Sequence, residues 1–161
     1  MRNKKLLFMV QSAMIAAIYV VLTVLFAPFS FGHIQLRLSE ALTVLPYFTP
    51  AAIPGLAIGC LIGNTIGGAI LPDIIFGSIA SLIGAITTYL LRKQSKYFAP
   101  VGPILANTVI VPFVLYYAYG INLPIPFQML TVGIGEIISC GVLGMVVLTS
   151  LQKYQHKIFK K

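Results

Sequence analysis

Four charged side chains lie within apolar segments, where an isolated charge is unfavourable. They are Arg37, Glu40, Asp73 and Glu136. Glu136 is the most informative of them, because it lies about nine residues into a long apolar stretch, or about 13 Å along a helix. A carboxylate near the middle of a bilayer costs about 3 kcal/mol or more unless it is paired, protonated or facing a cavity. Glu136 is therefore the first candidate for a ligand contact.

Small residues surround this carboxylate on the predicted helix. Gly133, Ser139 and Cys140 share the face of Glu136 when side chains are placed at about 100° per residue. Such neighbours leave space either for a ligand or for another helix. In the alternative interpretation, Glu136 pairs with Asn107 or with a hydroxyl group and serves only helix packing.

The other three charged residues fall near the predicted outer ends of their helices. Arg37 and Glu40 are three positions apart, so they share one helical face. They form either a structural pair that holds the helix end or the lining of an outward opening. Asp73 follows Pro72 at a predicted helix start, where it can cap backbone N–H groups and can also contact a ligand.

The composition places these residues in a membrane protein. Hydrophobic residues make up 58% of the 161-residue chain and charged residues make up 9%, whereas soluble domains contain about 25% charged residues. The mean hydropathy is +0.96, and the apolar residues form blocks close to the ~20 residues that cross a bilayer core. The net charge of +8 does not indicate nucleic acid, because the basic residues flank apolar blocks, where they meet anionic lipids.

We predict a single all-α membrane domain of six transmembrane helices over residues 1–161. The second span is short, since roughly 15 residues give about 22 Å of helix against a bilayer core of ~30 Å. The first span lacks a clear cleavage site and is expected to remain in the mature protein. The six spans cover residues 6–27, 34–48, 51–71, 73–91, 101–119 and 127–151.

Three basic clusters predict the orientation of these spans. The positive-inside rule favours all three clusters in the cytoplasm, which requires four spans between the first two clusters and two spans between the last two. Both termini are then cytoplasmic, in a multi-pass protein of the cell membrane. The clusters are Arg2, Lys4 and Lys5; Arg92, Lys93 and Lys96; and Lys153, Lys157, Lys160 and Lys161.

Two stripes of small residues predict close helix packing. The third span carries a glycine at every fourth position from Gly55 to Gly67, which lets another helix approach its backbone. In the first span, Ala13 and Ala17 serve either internal packing or the docking of another membrane subunit.

Aromatic residues are frequent at the predicted outer surface. Residues 28–35 form either a lid over an outward opening or part of an interfacial aromatic belt. Tyr116, Tyr117 and Tyr119 are interpreted as such a belt. His33 alone is too little for metal binding or catalysis.

The sequence lacks the motifs of the common enzyme classes. It has no HExxH, no GxSxG, no paired acidic cluster for metals and no nucleotide-binding loop. The chain therefore cannot hydrolyse ATP itself, and another subunit must supply energy for uphill transport. We interpret Cys60 and Cys140 as small packing residues, because they lie in apolar segments without metal-ligand spacing. We expect neither a cofactor nor a metal.

Five short segments form an ordered pattern over nearly the whole chain. They are residues 37–46 (RLSEALTVLP), 54–60 (PGLAIGC), 73–78 (DIIFGS), 102–107 with Gly102, Pro103 and Asn107, and 135–144 with Glu136, Cys140 and Gly144. Together they resemble the QueT family. The resemblance implies a substrate-binding (S) component of an energy-coupling factor (ECF) transporter, which works with a membrane coupling subunit and two cytoplasmic ATPases.

The resemblance also implies a ligand class, the queuosine precursors preQ0 and preQ1. A 7-deazaguanine presents adjacent N–H donors that one carboxylate can accept together, and we expect Glu136 to do so. Glu40 or Asp73 would meet the cationic amine of preQ1. The substrate-binding residues predicted in this way are Glu136, Asn107, Glu40, Asp73, Arg37, Gln128 and Asn64.

The family resemblance favours one interpretation of the first helix. S components commonly use small residues there for docking, which assigns Ala13 and Ala17 to the contact with the coupling subunit. The resemblance further implies an outward-facing pocket that is covered by the loop before the second helix. The alternatives are an S component for a different vitamin or nucleobase-like solute, a ligand-free membrane scaffold in which Glu136 only joins helices, and, last, an intramembrane enzyme.

Overall fold

A computed structural model describes residues 3–26 and 36–155 of the chain. Within these two ranges the protein is helical and has no β-strand, as predicted for an all-α protein. The proposed lid at residues 28–35, with His33, lies outside the described residues. The helices are α1 (Lys4–Leu25), a 3₁₀ helix (Leu38–Tyr47), α2 (Ala52–Ile66), α3 (Leu71–Leu91), a short 3₁₀ turn (Lys96–Phe98), α4 (Val101–Tyr117), α5 (Ile125–Glu136), a π-helical segment (Ile137–Leu143) and α6 (Gly144–Gln152).

Several of these helices are suited to a bilayer. In the part of the chain that the structure describes, four helical stretches are long and apolar enough to cross a membrane, and α2 is a shorter apolar helix. The protein is therefore a multi-pass integral membrane protein. The count of six spans and the cytoplasmic termini stay predictions. The four long stretches are Lys4–Leu25, Leu71–Leu91, Lys96–Tyr117 and Ile125–Gln152.

The predicted second span takes the form of a buried 3₁₀ helix. It extends over ten residues, Leu38–Tyr47, and a 3₁₀ helix of that length measures about 20 Å. The sequence predicted a longer helix over residues 34–48. Most side chains of the 3₁₀ helix are buried among the other helices, Glu40 and Val44 among them. Apolar composition does not distinguish such an inner segment from a short lipid-facing span, because both exclude water.

The glycines of α2 let this helix lie directly against α1. A Cβ atom on Gly55 would be 2.8 Å from the backbone oxygen of Ser12, and a Cβ atom on Gly59 would be 2.9 Å from Cβ of Tyr19. These spaces are too small for a side chain. The close packing predicted for the glycine stripe is therefore confirmed at both positions.

A second close contact holds α3 against α4. A Cβ atom on Gly84 would be 2.8 Å from Cα of Pro103, and a Cβ atom on Gly102 would be 2.6 Å from Cβ of Thr87. The two backbones can approach because each glycine faces the other helix. This contact fixes α4, which carries the buried Asn107.

The predicted last span is one continuous stretch with a change of helix type near its middle. Glu136 ends α5, the π-helical segment follows directly, and α6 continues the chain. A π-helical turn contains an extra residue, so it redirects the side chains that follow, and such turns are frequent at functional sites. In this protein the change begins at the residue after Glu136.

Candidate ligand-binding site

Glu136 lies at the junction of α5 and the π-helical segment, and its side chain is only 4% exposed. Its Oε2 atom accepts a hydrogen bond from the Cys140 thiol at 3.1 Å. Each carboxylate oxygen can accept more than one hydrogen bond, so Glu136 has further capacity to accept beyond the bond from Cys140. Ser139, three residues further along the chain, is also buried.

Glu40 reaches the same region from the 3₁₀ helix. Its Oε1 accepts a hydrogen bond from the Tyr19 hydroxyl at 2.5 Å, and its Oε2 accepts one from the Asn107 amide at 3.5 Å. The second bond is long and correspondingly weak. The Thr43 hydroxyl donates to the backbone oxygen of Glu40 at 2.5 Å. Residues from α1, the 3₁₀ helix and α4 therefore meet at Glu40.

Glu40 and Glu136 form what we call the carboxylate pair. One oxygen from each and the Cys140 sulfur all lie within 4.8 Å of one another, and the three residues are buried. Two buried carboxylates at this separation repel each other. The hydrogen bonds from Tyr19, Asn107 and Cys140 reduce this repulsion. Further N–H donors from a ligand would reduce it more.

The same cluster contains residue types that bind metals. Cysteine and carboxylate groups are zinc ligands, but the Cys140 thiol already has hydrogen-bond acceptors at Glu136 Oε2, 3.1 Å away, and at the Glu40 backbone oxygen, 3.4 Å away. The hydrogen-bonding pattern therefore fits a ligand rich in N–H groups better than a metal ion. Cys60 and Cys140 are both buried and free, as the packing interpretation predicted, but Cys140 also orients a carboxylate.

A second polar cluster surrounds Gly77 on α3. Arg37 and Asp73 form an ion pair with 3.5 Å between Nη2 and Oδ2. A Cβ atom on Gly77 would lie 3.1 Å from Asn64 Nδ2, 3.4 Å from Asp73 Oδ1 and 3.9 Å from Arg37 Nη1. Because Gly77 has no side chain, these three side chains can converge. We call Arg37, Asn64 and Asp73 the Gly77 cluster. Two of its oxygen atoms, Asn64 Oδ1 and Asp73 Oδ1, have no hydrogen-bond partner among the described residues.

Asp73 does not cap α3, so the capping interpretation is wrong. The helix begins earlier, with Ile70 as the N-cap residue, and Asp73 lies within its first turn. Its carboxylate instead pairs with Arg37 and accepts a hydrogen bond from the Tyr119 hydroxyl at 3.0 Å. Tyr119 therefore does more than contribute to an aromatic belt.

Arg37 and Glu40 bind different partners in the structure, although one interpretation of the sequence paired them with each other. Arg37 forms its ion pair with Asp73, whereas Glu40 accepts hydrogen bonds from Tyr19 and Asn107. Arg37 and Glu40 are three positions apart, but residues on other helices determine which contacts each of them makes.

Gln128 supports the loop between α4 and α5. Its amide nitrogen donates to the backbone oxygens of Ile121 and Leu123 at 3.0 and 2.8 Å. Both amide hydrogens are therefore used. The Oε1 atom is buried, and none of the residues that the structure describes donates to it. These contacts do not reach the carboxylate pair, so a role of Gln128 in ligand binding stays a prediction.

The two sides of α1 have different surroundings. Tyr19 is buried against the bundle, and Ala16 lies within 3.1 Å of the position that a Cβ atom on Gly59 would occupy. Ala13 and Ala17 are exposed. In the described parts of the chain, internal packing of this helix therefore uses Ala16 and not the other two alanines.

The sequence interpretation did not identify Tyr19 as part of the site. A signal for it does exist in the polar residues of α1, because Ser12, Tyr19 and Thr23 recur at seven- and four-residue intervals on one helical face. All three donate hydrogen bonds to the segment after α1, to Ala51, Glu40 and Ser39.

The fold and the site together define a multi-pass membrane protein with enclosed polar groups that can accept hydrogen bonds from a solute. A family model described as QueT transporter matches residues 9–153, and the chain belongs to this family. The resemblance seen in the five sequence segments is thereby confirmed.

One curated relative is named "Queuosine precursor transporter QueT" and comes from Lactococcus lactis subsp. cremoris (strain MG1363). It is 34% identical to this chain over 102 residues, which cover 61% of this chain and 60% of the relative. The match therefore spans about three fifths of that protein's length. No solved structure matches the chain.

Proposed function

We propose that this chain is the S component of an ECF-type importer for queuosine precursors, the 7-deazaguanines preQ0 and preQ1. The family and the name of the Lactococcus relative support this ligand class. The observation that carries the proposal is the carboxylate pair, whose oxygen atoms approach within 4.8 Å in the interior of the bundle.

The carboxylate pair has more acceptor capacity than the protein uses. Two carboxylates offer about eight lone-pair directions, and Tyr19, Asn107 and Cys140 are the described donors to them. A 7-deazaguanine presents N1–H and a 2-amino group on one edge. We assign N1–H and one amino hydrogen to Glu136, and the other amino hydrogen to Glu40. Hydrogen bonds to ionised acceptors are the stronger kind.

The Gly77 cluster supplies a separate acid for the amine of preQ1. Asp73 Oδ1 borders the space above Gly77 and accepts no hydrogen bond from the described residues. Each Glu40 oxygen already accepts one hydrogen bond, whereas Asp73 Oδ1 accepts none from the described residues. We therefore assign the cationic aminomethyl group of preQ1 to Asp73, and only the 2-amino contact to Glu40. The acids of the chain are Glu40, Asp73 and Glu136, and Arg37 is the cation paired with one of them. A cationic ligand would balance this excess of buried negative charge.

In this proposal, import against a gradient requires partner subunits. Ala13 and Ala17 dock α1 on a membrane coupling subunit, which joins the chain to two cytoplasmic ATPases. Both alanines are exposed, and small side chains allow helices to approach closely in lipid. The termini lie in the cytoplasm, where their basic residues meet anionic lipids.

Calorimetry on the detergent-purified protein tests the ligand class. preQ1, preQ0, guanine and a panel of vitamins are titrated into the same preparation, and we expect saturable binding of the two precursors. Binding of a vitamin in their place would indicate an S component for a different solute. Failure of every compound to bind would favour a membrane scaffold in which Glu136 only joins helices.

A further inference from the structure

Tyr19 connects α1 to the carboxylate pair. The side chain is 1% exposed, and its hydroxyl donates to Glu40 Oε1 at 2.5 Å. The residue is also fixed at its base, because a Cβ atom on Gly59 would come within 2.9 Å of Tyr19 Cβ. The phenol is therefore a rigidly placed donor on a neighbouring helix.

We infer that Tyr19 is a positioning residue, which orients the Glu40 carboxylate for the guanine-like edge of the ligand. This inference rests on the proposed function. The other described donor to Glu40, the Asn107 amide, is 3.5 Å away, too far to fix the carboxylate by itself. Both bonds end on the same carboxylate, but the Tyr19 bond is much shorter, so it is the stronger of the two constraints.

The same hydrogen bond also lowers the repulsion within the carboxylate pair. The phenol hydrogen carries a partial positive charge that stabilises the negative charge on Glu40, which favours a second carboxylate at Glu136 nearby. Tyr19 thus orients the Glu40 carboxylate and stabilises its charge, and both effects strengthen ligand binding. Loss of the hydroxyl therefore weakens the recognition of N–H donors although Tyr19 itself need not touch the ligand.

Thr23 provides a matched control on the same face of α1. Its side chain is 1% exposed, and its hydroxyl donates to Ser39 at 2.9 Å. Thr23→Val removes a buried hydroxyl next to the same 3₁₀ helix without removing a donor to Glu40. Tyr19→Phe keeps the ring and its contact with Gly59.

The test compares the two variants by calorimetry with preQ1 and with an analogue of preQ1 that lacks the 2-amino group. We expect Tyr19→Phe to weaken preQ1 binding about tenfold, to weaken the analogue less, and so to reduce discrimination between the ligands. Thr23→Val should bind both ligands within about twofold of the wild type.

Three results of the binding experiments would overturn the inference. They are wild-type affinity for preQ1 in Tyr19→Phe, equal losses for the two ligands, and a loss in Thr23→Val that matches Tyr19→Phe. A Tyr19→Phe protein that does not fold while Thr23→Val does would also overturn it, because the residue would then be structural. If the wild type itself binds no preQ1, the proposed function fails instead.

Discussion

Glu40 on the 3₁₀ helix and Glu136 at the end of α5 place carboxylate oxygens within 4.8 Å of each other. Each carboxylate is held by a donor close to it, Tyr19 for the first and Cys140 for the second. A ligand that donates to both would join these two parts of the bundle. Binding is therefore expected to stabilise the contact between the 3₁₀ helix and α5.

Asp73→Asn should lower the affinity for preQ1 more than the affinity for preQ0. Only preQ1 carries a cationic amine, and the variant removes the negative charge that we assign to it. We expect at least about a tenfold loss for preQ1 and a smaller loss for preQ0, measured by calorimetry. Tyr119→Phe is the control, because it removes a hydrogen bond to Asp73 but keeps the charge. Equal losses for both ligands in Asp73→Asn would assign the amine to another acid.

Gly59→Ala should destabilise the protein before any ligand is added. The new Cβ would lie 2.9 Å from Cβ of Tyr19 and 3.1 Å from the backbone of Ala16, so the two helices would have to separate. Overpacking of this kind costs about 1–3 kcal/mol, and the melting temperature of the purified protein measures it. Gly141→Ala is the control, since its nearest neighbour, in Ile137, would be 3.7 Å away. Equal melting temperatures for the two variants would contradict close packing at Gly59.

Replacing Ala13 and Ala17 together by Trp should abolish uptake and leave ligand binding unchanged. The bulky side chains would hold a partner helix away from α1, whereas the carboxylate pair lies on the other side of that helix. Radiolabelled uptake in cells and calorimetry on the purified variant give the two readouts. The control replaces Val142 and Val146, each 57% exposed, by Trp. Normal uptake by the alanine variant at normal expression would show that this face is not the docking surface.

Cysteine labelling tests the predicted orientation. A membrane-impermeant reagent should label cysteines introduced at Gly32 and at the exposed Asn122 from outside the cell, but not one introduced at the exposed Gln94. Cys60 and Cys140 are buried and free, so they are replaced in the background protein. Labelling of the cysteine at position 94 from outside would exclude the model with six spans and cytoplasmic termini.

The sequence predicted most accurately the features that the bilayer imposes, namely the length of an apolar span and the position of a charge within it. Apolar length placed the last span at residues 127–151, close to the Ile125–Gln152 stretch of the structure. The cost of a charge in lipid singled out Glu136, which is buried. These features depend on transfer from water to an apolar medium, which the composition of one segment determines.

The partners of those charged residues could not be predicted in the same way. The local rule for Asp73 after Pro72 gave a helix cap, but the carboxylate pairs with Arg37 and Tyr119, which come from other parts of the chain. Tyr19 likewise meets Glu40 only because the glycines of α2 bring α1 close. Such contacts depend on how helices pack, and the spacing within one segment does not contain that information.

The most direct test is the affinity of Glu136→Gln for preQ1, measured by calorimetry together with the melting temperature of the ligand-free protein. The amide keeps the shape of the side chain but places a donor opposite a ligand donor. We expect a loss of about 2–4 kcal/mol, or about 30- to 1000-fold in affinity. The melting temperature should be unchanged or raised, because a buried charge is removed. Wild-type affinity in Glu136→Gln would contradict the assignment of this carboxylate to the ligand.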